Sequence, residues 1–283
     1  MEVVLSADPG EFLQAIESLL DRSPFEHQML ASIAVTLEAQ GQPDLEPARF
    51  AWARRRDGIV VGAVLRTPPR RLVVAQMDRE VAQAILARWL EHERELPGLH
   101  GPEPAAARAA AAWSSLTGSV SELTRAETIY VLREVNAPLR KPPGGPRLAR
   151  LDELALATDW VAAFTREVGL IGPDDHALQQ ATRARIEQQR LMVWDDGQPV
   201  SIAGASPTVR RIARIGPVYT PPEQRSRGYA TALVAAVSQR LLDRDAEHCI
   251  LYADAANPTS NSIYQQIGYR EVATASEHTF NQP

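Results

Sequence analysis

The run Val218-Tyr-Thr-Pro-Pro-Glu-Gln-Arg-Ser-Arg-Gly-Tyr-Ala-Thr231 has the residue types and spacing that suit chemistry on an anion. An apolar strand ends in a short loop that carries two arginines and a glycine, and the loop opens into an amphipathic helix. The N–H groups in the first turn of a helix have no intrahelical acceptor and favour a negative ligand. Gly228 and Ala230 leave the backbone open to a bulky pyrophosphate. Arg225 and Arg227 add charge-assisted donors, and Ser226, Tyr229 and Thr231 share the turn. The Gly-Lys-Ser/Thr of a P-loop is missing, and so are the spaced glycines of a dinucleotide fold.

A second cluster follows at Asn257-Pro-Thr-Ser-Asn-Ser-Ile-Tyr264 and runs on to Gly268-Tyr269. Asn257 or Thr259 suits the cap of a helix, and Asn261 and Tyr264, three apart, share one helical face. For Tyr264 two readings stand, packing against a sheet or proton donation. For Asn257 and Asn261 they are capping or ligand contact. Cys249 is the single cysteine. It sits on an apolar strand and reads as a buried inert thiol. His248 reads as exposed, and the other histidines lack metal-ligand spacing, so no metal site is expected. The tryptophans read as core anchors, with Trp160 or Trp194 as candidates to line an acceptor pocket.

These residues need elements to hold them. The Pro- and Gly-rich stretch Asn136 to Pro146 divides the chain near its middle. Ahead of it the pattern predicts helices from Asp8-Pro9 to Leu20 and over 26–37. Strands are predicted over 50–56, 59–66 and 71–76, with Asp57-Gly58 as a hairpin turn. A helix follows with Asp78 expected as its N-cap and Val81, Ile85 and Trp89 on one face. After 97–104, which is given no element, the alanine-rich run reads as a helix ending near Leu116, and 128–135 as a strand. Behind the break the order repeats. Helices are expected over 151–167 and 175–190, and strands over 191–195, 200–206 and 211–219. A helix over 228–243, a strand over 249–254, a helix over 257–267 and a strand from Tyr269 complete it. Gly62-Ala63 echoes Gly204-Ala205, and Arg70-Arg71 echoes Arg210-Arg211, which reads as a diverged duplication.

The chain has 283 residues, 45% hydrophobic and 23% charged, enough to bury the core of two domains or one large one. Its formal net charge of −5 argues against a general nucleic-acid binder. Lys141 is the only lysine, so nearly all the basic residues are arginine, which reads as compositional bias. No apolar run approaches the ~20 residues that span a bilayer, and Met1–Pro9 does not read as a signal peptide. A cytoplasmic protein without membrane or nucleic-acid partners is the expectation.

Together, Arg225-Ser-Arg-Gly-Tyr-Ala230 and the Asn257–Tyr269 segment resemble the GNAT superfamily of acyl-CoA-dependent N-acyltransferases. The first fits the family's Arg/Gln-x-x-Gly-x-Gly/Ala loop, and the resemblance covers about 147–272. It implies an α+β fold of two GNAT-like domains, each a mixed, mostly antiparallel sheet flanked by helices. Residues 1–138 would be a degenerate copy, 139–146 a linker and 147–283 the acetyl-CoA-binding domain. At the corresponding turn the first half has Val74-Ala-Gln-Met-Asp78, without the loop motif. The resemblance further implies acetyl transfer from acetyl-CoA to a small-molecule or peptide amine in a ternary complex, with no metal. The amides of Arg225–Thr231 would hold the pyrophosphate. Val218, Tyr219 and Thr220 would border the pantetheine arm, Asn257 and Asn261 would bond the cofactor, and Tyr264 would protonate the leaving thiolate. The strand 211–219 has no acid, so Asp254, Glu223, Tyr219 and water stay open as the base. An acyl-CoA sensor without catalysis is the other reading.

Overall fold

Asp8 opens the first helix, as its place before Pro9 predicts. Its carboxylate accepts the N–H groups of Gly10 at 2.7 Å and Glu11 at 3.1 Å, donors with no partner inside the helix. The computed structural model describes residues 1–41, 47–137 and 141–281. Its elements run β1 (Glu2–Ser6), α1 (Pro9–Ala15), α2 (Glu17–Arg22), α3 (Gln28–Gln40), β2 (Arg49–Arg54), β3 (Val60–Arg66) and β4 (Leu72–Val74). Next come α4 (Arg79–Leu90), β5 (Gly98–Pro102), α5 (Ala105–Thr117), β6 (Val120–Leu132), β7 (Gly145–Leu148), α6 (Leu154–Glu167) and α7 (Asp175–Glu187). The chain ends with β8 (Leu191–Asp195), β9 (Pro199–Ala205), β10 (Ile212–Tyr219), α8 (Tyr229–Leu242), β11 (His248–Asp254), α9 (Pro258–Ile267) and β12 (Arg270–Asn281). No helix among the described residues is long and apolar enough to cross a membrane.

The elements pack as two units. The first comprises Met1–Ile129, Tyr252–Asn257 and the chain from Glu271. The second comprises Tyr130–Leu251 and Pro258–Arg270. Of the expected linker 139–146, residues 139 and 140 lie outside the described residues.

In the first unit the strands run in the order β1-β2-β3-β4-β5-β12-β6. The β1–β2, β2–β3, β3–β4 and β5–β12 pairs are antiparallel, and β4–β5 is parallel. The predicted turn at Asp57-Gly58 joins β2 to β3, with Gly58 left-handed at φ +84°. One core of this unit sets Val64, Leu72, Val74 and Leu99 of the sheet against Ile85 and Trp89 of α4 and Trp113 of α5. β5 lies in 97–104, where the sequence pattern names no element. Its five residues, Gly-Leu-His-Gly-Pro, have no β-branched member, and its place between β4 and β12 makes it a strand. β6 also begins earlier than expected, at Val120, because its first residues are exposed and carry no alternation.

In the second unit the order is β7-β8-β9-β10-β11, antiparallel except for β10–β11, which is parallel. β7 lies in the Pro/Gly stretch expected to be irregular. Pro146 is tolerated because β7 pairs only with β8 and needs few ladder donors. Gly144 has no room for a side chain: a Cβ there would lie 2.0 Å from the Asp195 carbonyl oxygen. Arg147 ties this edge down, bonding both Glu153 and Asp195, and that pairing holds the Glu153 carboxyl below its usual range. Val161, Leu178 and Ile186 of α6 and α7 pack on Leu191, Val193 and Ile202. α8 packs against β8, β9 and β10. Each unit is thus a mixed, mostly antiparallel sheet flanked by helices.

Candidate functional site

β10 pairs with β11 only over Ile212–Arg214. Its register with β9 shifts between Ile215 and Val218, so the strand delivers Val218, Tyr219 and Thr220 beyond the parallel ladder. A strand edge freed in this way presents main-chain groups to an extended ligand. The Ser201 hydroxyl donates to the Tyr219 carbonyl at 3.0 Å and lies 2.8 Å from the Thr220 hydroxyl, which fixes the strand end from the β9 side. The Tyr219 ring is buried and faces Trp160 of α6 at 6.3 Å.

After a short turn at Pro222–Gln224 the loop passes through two left-handed residues, Ser226 at φ +63° and Gly228 at φ +84°. Left-handed turns of this kind gather successive N–H groups into anion-binding concavities. Gly228 is the residue before α8, and no side chain caps the N–H groups of the first turn at Tyr229, Ala230 and Thr231. A Cβ built on Gly228 meets no atom within 4 Å, so nothing in the chain crowds the backbone at the residue before α8. The Tyr229 ring is buried and its hydroxyl donates to Asp196 Oδ2 at 2.6 Å. That bond to a carboxylate raises the phenol's pKa and pins the start of α8 to the β8–β9 turn.

The two arginines differ. Arg225 donates from Nε to the Thr220 carbonyl at 2.9 Å and from Nη2 to both Glu167 oxygens at 2.7 Å. Its guanidinium carbon lies 5.8 Å from the Tyr219 ring centre. These contacts brace the loop against β10 and α6. Arg227 is exposed and donates to the Glu223 carbonyl at 3.2 Å.

α9 packs on α8 and carries Asn261 and Tyr264. The half-buried Tyr264 ring sits between Tyr130 at 6.2 Å and Tyr269 at 6.0 Å. Burial pushes its phenol up to about 12. Asn257 groups with the first unit, where it is exposed and its N–H donates to the Asp254 carbonyl at 3.0 Å. Among the base candidates, Glu223 is exposed. Asp254, also in the first unit, spends Oδ1 on the Ala256 N–H at 2.8 Å.

The sequence reading missed Glu167 and Asp196. Asp196, beside Gly197, carries only the pattern of a turn residue, and Glu167, the last residue of α6, carries no local signal of its tie to Arg225. His248 corrects an expectation: it is half-buried, and desolvation lowers its pKa. Trp194 is buried, with its indole N–H on the Pro143 carbonyl at 2.7 Å, so it anchors the edge. Cys249 is fully buried and its thiol is pushed up to about 12.

The corresponding turn of the first unit is built differently. Asp78 precedes α4 without capping it, and its carboxylate stands exposed beside Arg108 at 3.6 Å. A Cβ on Gly101 of β5 would lie 2.4 Å from Val74 Cγ2, so β4 and β5 close on each other where β10 and β11 part.

Comparison with known proteins accords with this geometry. The family model for FR47-like protein matches residues 203–278, which hold both the loop and α9. An acetyltransferase of the GNAT family from Colwellia psychrerythraea is 13% identical, with 99% of each chain covered and a TM-score of 0.62. A GCN5-related N-acetyltransferase from Sphaerobacter thermophilus is 17% identical, covering 99% of this chain and 96% of that one at a TM-score of 0.64. A tandem GNAT protein from the clavulanic acid biosynthesis pathway is 14% identical, covering 100% and 99% at a TM-score of 0.61. No curated protein sequence matches the chain. The chain has the GNAT fold, and over its whole length that of a tandem GNAT protein.

Proposed function

We propose that the chain is an N-acetyltransferase that moves an acetyl group from acetyl-CoA to a small-molecule or peptide amine by direct attack in a ternary complex. The observation that carries this reading is the uncapped start of α8, with open space before Gly228, at the end of a strand that has parted from its neighbour. The donor set fits a pyrophosphate: free amides at a positive helix end, next to the exposed guanidinium of Arg227. When bound, acetyl-CoA supplies an activated acyl group on a thiol leaving group.

The chain's own residues then have these roles. The amides of Gly228–Thr231 and Arg227 bind phosphate oxygens, and Arg225 holds the loop in shape through Glu167 and Thr220. The backbone of Val218–Thr220 lies along the pantetheine arm, where an N–H polarises the thioester carbonyl. Asn261, one turn before Tyr264 on α9, contributes polar contact to the cofactor. Tyr264 faces the leaving sulfur.

Magnitudes define what Tyr264 does. A thiol titrates near ~8.5 and this phenol near 12, a gap of about 3.5 units, or about 5 kcal/mol against complete proton transfer. Tyr264 therefore stays protonated and donates a hydrogen bond to sulfur. Burial raises the thiol's pKa too, which narrows the gap at the moment of departure. No acid lies on β10, so water takes the amine's proton. The first unit, with Asp78 at its turn and β4 closed on β5, is assigned no cofactor site. The chain is assigned to the cytoplasm.

Thiol release from acetyl-CoA across a broad panel of amines tests the reading. Amine-dependent release supports it. Acetyl-CoA binding with no release on any amine would make the chain a sensor.

A further inference from the structure

At the end of α8 away from Gly228 lies a cavity of about 110 Å³, where the α7–β8 turn and the end of β9 meet the last turn of α8. That is several times the ~10–15 Å³ that admits one water. Arg190, Arg240, Arg244 and Asp245 line it over an apolar floor of Met192 and Val237. Among the described residues the arginines have only neutral partners. Arg190 donates to the Ala205 carbonyl at 2.8 Å and, from Nε and Nη2, to the amide oxygen of Gln188. Arg240 donates to the amide oxygen of Gln189 at 3.0 Å. The Arg244 guanidinium bonds none of the described residues. Burial lowers the Arg190 pKa, the mark of a guanidinium desolvated without a counter-charge.

Two features oppose an anion here, and both are weaker. Asp245 brings one negative charge against three positive ones. The C-terminus of a helix carries about half a negative charge, but the α8 carbonyls of Gln239 and Leu241 already accept N–H groups from Asp243 to Ala246.

We propose that this cavity binds a short aliphatic carboxylate, with its oxygens on the guanidinium forks and its hydrocarbon on Met192 and Val237. Planar forks match a carboxylate bidentately, and the apolar floor gives a carbon chain a place that inorganic phosphate would leave empty. The inference does not rest on acyl transfer.

Calorimetry of the full chain with butanoate, butanamide and inorganic phosphate tests it, in a buffer free of other carboxylates. Butanoate should bind saturably with a Kd of roughly millimolar order, and butanamide should not. Arg244→Gln, an exposed change that breaks no contact, should weaken butanoate at least tenfold. Arg240→Gln should do the same, while Gly58→Ala, in the β2–β3 turn, should leave it unchanged. No saturable butanoate binding, binding indifferent to both arginine changes, or tighter binding of phosphate would each overturn the proposal.

Discussion

Replacing Gly228 with alanine separates backbone strain from ligand contact. Gly228 and Gly58 share φ +84°, and at both a new Cβ meets nothing within 4 Å. Gly58 lies in the β2–β3 turn of the first unit. Each change should therefore cost the same ~1–2 kcal/mol for holding an L residue left-handed. For units of this size that is a fall in Tm of roughly 2–8 °C. Gly58→Ala should stop there and keep its affinity for acetyl-CoA. In Gly228→Ala the methyl stands at the start of α8, where the proposed site holds the pyrophosphate. One displaced charge-assisted hydrogen bond, worth ~1.5–3 kcal/mol, raises Kd about ten- to a hundredfold. Thermal melts and acetyl-CoA titrations of both variants read the two effects. Equal destabilisation with unchanged affinity in Gly228→Ala would refute the placement of the pyrophosphate, whatever the catalytic role of the chain.

Tyr264→Phe should lower kcat about ten- to a hundredfold with little change in acetyl-CoA affinity. Because burial pushes the phenol up to about 12, the wild-type kcat should show no fall attributable to this group below about pH 11. A basic limb near pH 9–10 that vanishes in the variant would overturn that. His27 is buried, donating Nδ1–H to the Leu19 carbonyl at 2.9 Å and accepting the Gln76 N–H on Nε2 at 2.9 Å. Its folded pKa is lowered by burial, so the unfolded chain binds the extra proton first, and stability falls as pH drops below about 6.5. His248 and His278 shift the same way. His27→Asn should reduce, and not abolish, the loss of urea midpoint between about pH 7.5 and 5.5. Finally, Cys249 should resist thiol reagents in the native state and react at once in denaturant, as measured by mass shift.

The legible parts of this fold were those written in local pattern. Asp8 before Pro9, Asp57-Gly58 between two apolar runs, and the Leu233/Val237 face of α8 each state their element within a few residues. The loop from Arg225 to Ala230 was equally plain, because an anion site at a helix start needs small residues and positive charge in sequence. What stayed hidden depends on distant partners. Gly-Leu-His-Gly-Pro becomes a strand only because β4 and β12 flank it. Glu167 reaches Arg225 across 58 positions, and Asp196 meets the Tyr229 hydroxyl only once β8 and α8 have packed. The occupied guanidinium of Arg225 follows from that: a sequence shows an arginine beside a loop, and only packing shows that it is already taken.

The place of β12 bears on how the chain is made. Ala275 to Thr279 form the neighbour that β5 needs, so Pro102 waits for Ala275 to be synthesised. The first unit is encoded first and completed last. Its nascent form leaves the ribosome with the β5 edge bare, a surface prone to wrong pairing until the final strand arrives. A premature stop just before Arg270 would spare every residue of the α8 loop and still leave the opposite end of the gene product unfinished.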